Sequence, residues 1–288
     1  IKSDSENKPF YILCWNTNFK NWRVMNPVEV FEGESPVILG QPHGGTFIPA
    51  KVASQFNANG LKIADTDWHI HRLYKGLLPQ ATVVQATFNR YLIDVNRDPS
   101  GKSLYPGLVT TELCPTLDFE GQDIYNKGAE PDALEIESRL QTYHTAYHAA
   151  LLEQLNRIKK KYGIVLLFDC HSIRSYLPNL FEGALPELNL GTNNGKSCDS
   201  KIEKVAIDMC EKDGRYNYVL NGRFNGGWTT RTYANPEYGI HCIQLEIAQR
   251  TYMDEFVPWK FCEDRAEKLQ LYLKNLLREL EIKIKKCL

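Results

Sequence analysis

No pair of cysteines in this 288-residue chain has CxxC spacing. No apolar run approaches the roughly 20 residues that a bilayer span requires. Charge of one sign is missing too: 34 basic side chains face 35 acidic ones, for a formal net charge of -1. That balance gives no electrostatic reason to expect nucleic acid or an anionic membrane as partner. The chain has no GxSxG elbow, no phosphate-binding P-loop and no GxGxxG turn, and the HxxxH pair His144 and His148 encloses Thr145 where a metalloprotease would carry glutamate. An initiator Met is absent, and the polar stretch from Ile1 to Pro9 is expected to be loose.

What is present is ordinary globular material, with 43% hydrophobic and 24% charged residues. Disorder, collagen and simple coiled coil are excluded. Eight scattered cysteines read as reduced core thiols, because a core of this size needs no disulfide staples. Apolar runs at Ser35–Gly40, Thr82–Thr87, Gly163–Phe168 and Ile240–Ile247 read as strands. In the last, Ile243, Leu245 and Ile247 share one face while Gln244 and Glu246 share the other. Apolar residues at steps of three and four predict a helix from Pro131 through Ile158 to a Lys-rich end before Gly163, and a second after Pro258. Strands interleaved with helices argue for one α/β domain, residues 1–288, with long functional loops at 98–128 and 185–200.

The histidines carry the chemical signal. His43 and His171 each sit at the end of an expected strand, where open α/β sheets place their sites. Imidazoles converging from two strand ends suit a zinc ion, which wants a third ligand and an open position for water. Asp65, Asp67 and His69 offer that ligand; an Asp there also suits a helix N-cap. Glu246, on the polar face of an apolar strand, is the candidate general base, with a structural ion pair to Arg250 or Arg231 as the plainer reading. Arg90 and Arg97 suit an anionic substrate and the oxyanion of acyl transfer. His144 and His148 fit a partly buried polar helix edge better than a metal site. Cys170 and His171 are strand neighbours that point to opposite faces, which argues against a cysteine nucleophile.

Several segments resemble the N-formylglutamate amidohydrolases: Gln41-Pro42-His43-Gly44-Gly45, Asp65-Thr66-Asp67-Trp68-His69, Arg90-Tyr91-Leu92-Ile93-Asp94-Val95-Asn96-Arg97 and Asp169-Cys170-His171-Ser172-Ile173. Leu180-Phe181-Glu182-Gly183, Leu188-Asn189-Leu190-Gly191-Thr192, Gly226-Gly227-Trp228-Thr229-Thr230-Arg231 and Gln244-Leu245-Glu246 with Thr251-Tyr252-Met253 extend the match over residues 36–275. The resemblance implies hydrolysis of N-formyl-L-glutamate to L-glutamate and formate, in the cytoplasm, as the last step of one histidine-degradation route. It implies a phosphorylase/hydrolase-like three-layer α/β sandwich with a mixed, mostly parallel sheet, shared with zinc carboxypeptidases and aspartoacylases. Those relatives draw ligands from an HxxE motif; Thr46 stands at the Glu position here, so Asp67 is the expected third ligand beside His43 and His171, with Asp65 and His69 as rivals. Glu246 is then the expected base and Arg90 the oxyanion partner, while Asn96, Arg97 and Arg231 are expected to grip a small dicarboxylate. Cobalt or iron would accept the same ligands as zinc. The chain is expected to act as a monomer or small homo-oligomer. Rival readings are a zinc amidase for another N-acyl amino acid or a peptidoglycan-like amide, and a metal- or ligand-binding relative without turnover.

Overall fold

The computed structural model describes residues 25–103 and 110–287. The stretch through Pro9, Cys14 and the middle of the long 98–128 region lie outside the described residues. Seven strands follow in chain order: β1 (Val28–Phe31), β2 (Val37–Gln41), β3 (Thr82–Ala86), β4 (Val165–Ile173), β5 (Leu188–Gly191), β6 (Tyr218–Leu220) and β7 (Ile240–Ala248). They form one sheet in the order β1-β3-β2-β4-β7-β5-β6. The four inner strands β3, β2, β4 and β7 run parallel; β1 pairs antiparallel with β3, and β5 antiparallel with β7.

The helices are α1 (Ala50–Ala53), α2 (Ile70–Tyr74), α3 (Ala133–Arg139), α4 (Thr145–Tyr162), α5 (Ser200–Asp213), α6 (Trp228–Tyr233) and α7 (Glu263–Lys285). They cover the sheet on both faces. On one, Tyr147, Leu151, Leu155 and Ile158 of α4 cluster with Ile38, Val165, Leu167 and Cys242. On the other, Leu73, Ile202, Ala206, Leu269 and Leu273 from α2, α5 and α7 cluster with Leu39, Leu166, Phe168, Ile243 and Leu245. Each fully buried Leu or Ile of these stripes contributes about 1.5–3 kcal/mol by leaving water. The expected three-layer arrangement is therefore present. Cys114, Cys170, Cys198, Cys210 and Cys242 are buried and free, as core thiols should be, whereas Cys262 is half-buried and Cys287 exposed, so neither of these is a core thiol. Among the described residues, no helix is long and apolar enough to cross a membrane.

Three elements differ from expectation. The strand starting near Gly163 does not stop at Phe168. Its pairing with β7 continues residue for residue from Val165↔Ile240 to Ile173↔Ala248, so His171 lies inside β4 rather than beyond it. The loop expected at 185–200 contains β5, whose four residues are all buried. The helix expected from Pro131 to Gly163 is divided. Asp132 caps α3 by accepting from Glu135 N–H at 2.8 Å, a wide π turn follows at Leu140–His144, and α4 ends at Gly163, whose φ of 70° suits glycine. The stripe Ile136, Leu140, Tyr143, Tyr147 keeps its spacing of three and four across that turn, so periodicity does not betray the extra residue.

Candidate metal centre and active site

Strand alternation builds the site. Up to mid-strand, the α4-side faces of β4 and β7 carry Val165, Leu167 and Cys242. Further along, the same faces carry Asp169 and His171 on β4 and, in register beside them, Gln244 and Glu246 on β7. All four are buried. β2 ends at Gln41, and Pro42-His43 carries the chain on past the carboxyl end of the sheet. Asp67 comes from the turn before α2. Its N–H donates to His43 O at 3.1 Å, and its Oδ2 accepts from Ser172 N–H at 3.0 Å, so Asp67 is tied to both His43 and β4.

These ties bring His43, Asp67 and His171 together. The two Nδ1 atoms are 3.2 Å apart, and Asp67 Oδ2 lies 3.3 Å from His171 Nδ1 and 3.8 Å from His43 Nδ1. Bonds of about 2.0–2.1 Å to one tetrahedral ion place donors roughly 3.3 Å apart. The outer ring nitrogens face carboxylates: His43 Nε2 is 2.8 Å from Asp94 Oδ1, and His171 Nε2 is 3.1 Å from Asp169 Oδ1. A neutral imidazole with its N–H on that outer side turns a lone pair inward. Two lone pairs and a carboxylate oxygen then point at one another in a buried space. That arrangement is repulsive unless a cation or an extra proton sits among them, and the donor set fits a divalent metal ion.

Charge follows from this crowding. Burial and the nearby Arg90 charge lower the His43 pKa. Burial also disfavours charge on His171, but Asp169, Asp67 and Glu246 outweigh it and hold that imidazole well above its ordinary value. Asp67 is driven up by burial and more strongly down by His171, His43 and Arg90. Glu246 is pushed up to about 8 by burial, against the pull of His171 and with the help of Asp67. Without a metal, then, the spare protons reside on His171 and Glu246.

A family model for N-formylglutamate amidohydrolase matches residues 35–253. The chain belongs to the N-formylglutamate amidohydrolase family. It is 41% identical over 250 residues to an N-formylglutamate deformylase of Pseudomonas putida, covering 86% of this chain and 93% of that one. It is also 41% identical over 249 residues to the N-formylglutamate deformylase of Pseudomonas aeruginosa, with the same coverage. Membership makes the chain an amidohydrolase by homology. The fold agrees: the crystal structure of an N-formylglutamate amidohydrolase from Ralstonia eutropha superposes with a TM-score of 0.78 at 22% identity, over 92% of this chain and 100% of that one. A crystal structure of a protein from Agrobacterium tumefaciens gives a TM-score of 0.69 at 20% identity, over 91% and 97%.

In this member of the N-formylglutamate amidohydrolase family, the remaining candidate residues separate by position. Arg90 is buried between carboxylates, 2.6 Å from Asp94 Oδ2 and 3.5 Å from Asp67 Oδ1. Asn96 accepts from Thr229 N–H at 2.9 Å, and its Nδ2 lies 3.4 Å from His171 Nε2. Arg97 donates to Thr111 O and Asn96 O and lies 3.5 Å from Asp94 Oδ2. Arg231 donates to Gly226 O at 2.8 Å and Asn225 Oδ1 at 2.5 Å. Arg250 pairs with Glu187 at 2.6 Å. The rival ligands face elsewhere. Asp65 accepts from Arg174, Tyr91 O–H and Phe119 N–H, and His69 Nε2 sits 2.6 Å from Trp259 O.

Two carboxylates escaped the sequence reading. Asp94 binds His43, Arg90 and the N–H of Asn96; burial raises its pKa, but Arg90, Arg97 and His43 together hold the carboxyl well below the usual range. Asp169 backs His171 and accepts from Thr230 O–H at 3.1 Å. The available signal was a single Asp inside each of two apolar runs, Leu92-Ile93-Asp94-Val95 and Leu167-Phe168-Asp169-Cys170. Such an Asp needs a partner to be buried.

Proposed function

We propose that the chain is a zinc-dependent N-formylglutamate deformylase, releasing formate and L-glutamate. The observation that carries this reading is the convergence of two imidazole Nδ1 atoms and the Asp67 carboxylate on one buried point, beside the strand face that bears His171 and Glu246. Names of the similar Pseudomonas proteins supply the substrate.

His43, Asp67 and His171 would hold the ion, which when bound lowers the pKa of water and polarises a carbonyl. Glu246 takes the proton of the attacking water as its oxygen bonds to the formyl carbon. It returns that proton to the glutamate nitrogen as the C–N bond breaks, so the amine leaves neutral. Arg90 supplies fixed positive charge where the formyl oxygen turns negative. Its ion pairs with Asp94 and Asp67 keep that charge in place. Asn96, Arg97 and Arg231 hold the two substrate carboxylates, which converts binding of the distant groups into orientation of the formyl group. The same reading includes the last step of a histidine-degradation route, a cytoplasmic setting, one hydrolytic domain acting as monomer or small homo-oligomer, and kinship of the fold with zinc carboxypeptidases and aspartoacylases.

Release of the free amino acid from N-formylglutamate, N-formylaspartate and N-acetylglutamate, each with and without chelator, tests the proposal. The expected result is fast, chelator-sensitive release from N-formylglutamate and slow or no turnover of the other two. Release that survives exhaustive chelation would remove the metal from the reading. Preference for the acetyl compound would replace the substrate.

A further inference from the structure

The segment from Phe88 to Asn96 is fully buried yet forms no helix, and only Phe88 joins a β-bridge. Buried irregular backbone must still pair its carbonyls. Two of them, and the carbonyl of Arg97 that follows, are met by one helical spine. Arg139, the last residue of α3, donates to Leu92 O at 3.0 Å. His148 Nε2 lies 2.7 Å from Val95 O, and His144 Nε2 lies 3.1 Å from Arg97 O. The two carbonyls flank Asn96, and Asn96 N–H in turn donates to Asp94 Oδ1 at 2.8 Å.

A carbonyl accepts only, so each histidine carries its proton on Nε2. His148 Nδ1 is then an acceptor, and Tyr233 O–H, 2.9 Å away, fits that tautomer. Burial keeps both rings neutral: it lowers His144, and it lowers His148 to about 3 with help from the neighbouring His144. The Trp228 ring packs on both, with centroids 5.5 and 4.7 Å away. The wide turn at Leu140–His144 lets Arg139 and His144, five positions apart, serve the same segment.

We propose that His144 and His148 are positioning residues: a two-donor clamp that fixes the Asp94–Arg97 segment, and through it the orientation of His43 and the placement of Asn96. This use of the HxxxH pair rests on the metal reading of His43 for its functional consequence, but not for its geometry. Glutamine places an N–H near the Nε2 position, whereas leucine fills the space without a donor.

The test compares His144→Leu, His148→Leu, His144→Gln and His148→Gln in the full chain. Hydrogen exchange of residues 92–97 is measured on the metal-free protein, and zinc affinity by competition with a chromophoric chelator. Each leucine variant is expected to speed exchange in that segment at least about tenfold and to weaken zinc about 10–100-fold, the range typical for loss of outer-shell support. The glutamine variants should recover most of both. Unchanged exchange at 92–97 in the leucine variants would overturn the clamp, as would glutamine variants as impaired as leucine ones. If wild-type protein binds no zinc, the metal reading fails while the exchange data still decide the clamp. Should a leucine variant not fold, Tyr233→Phe, which removes the hydroxyl shared by His148 Nδ1 and His148 O, is expected to give a smaller acceleration confined to the same segment; no acceleration there would likewise overturn the clamp.

Discussion

β4 and β7 present two faces made by the same backbone, and the two faces do different work. One carries Leu166, Phe168 and Cys170 beside Ile243, Leu245 and Ile247, all sealed under α2, α5 and α7. The other is apolar for its first half and then carries Asp169 and His171 beside Gln244 and Glu246. The apolar face needs nothing but volume. The polar face needs a partner for every atom, because an unmet buried polar group costs about 1–3 kcal/mol or more. Asp169 finds Thr230, and Gln244 accepts from Gly227 N–H at 2.6 Å. Among the described residues Glu246 has one hydrogen-bond partner, the Gln244 amide at 3.5 Å, and Asp169 Oδ1 has none besides the His171 ring it faces.

Substitutions on the two faces should therefore separate turnover from stability. The largest effect on turnover is expected from Glu246→Gln, which keeps shape and removes the proton acceptor. Formate release should fall about 10²–10⁴-fold, the usual range for a general acid–base group, with zinc still bound. Undiminished kcat would take Glu246 out of the mechanism. Asp94→Asn comes next: loss of the charge behind His43 should weaken zinc about 10–100-fold, measured by the same chelator competition. An affinity equal to wild type would make Asp94 a purely structural residue.

A pH series sharpens the contrast further. His171 is held protonated well above its ordinary value, and Glu246 stays protonated up to about 8. Zinc binding requires a neutral His171 and favours an ionised Glu246, so it must displace protons. Affinity should rise with pH from 6 to 8, and calorimetry in buffers of different ionisation heat should detect proton release. A flat affinity over that range would contradict the charge assignment. The smallest effect on turnover is expected on the opposite face. Leu245→Ala should cost about 2–5 kcal/mol of stability, read by denaturant unfolding, while kcat per folded molecule changes less than about twofold. A large loss of kcat in folded protein would mean that the faces are not independent.

The parts of the site that lie on regular strands were legible before any coordinates. Alternation separates Glu246 from Leu245 and His171 from Cys170, and the strand ends locate His43. The choice among Asp65, Asp67 and His69 was different. All three lie within five residues, and only the fold shows that Asp65 already serves Arg174 and Tyr91 while Asp67 turns toward the histidines. The contacts of Asp94, His144 and His148 were hidden for another reason. They depend on irregular backbone at 88–97, which has no period to read, and on a π turn that leaves the apolar stripe intact. The length of β4 was missed because polar residues at its end mimic a strand terminus.

β4 stands fourth among seven strands, so His171 is anchored at the middle of the sheet rather than at a margin. Regions there open only with the whole molecule. Heating should leave His171 in place until the sheet itself comes apart, whatever gives way first in the irregular stretches that carry His43 and Asp67.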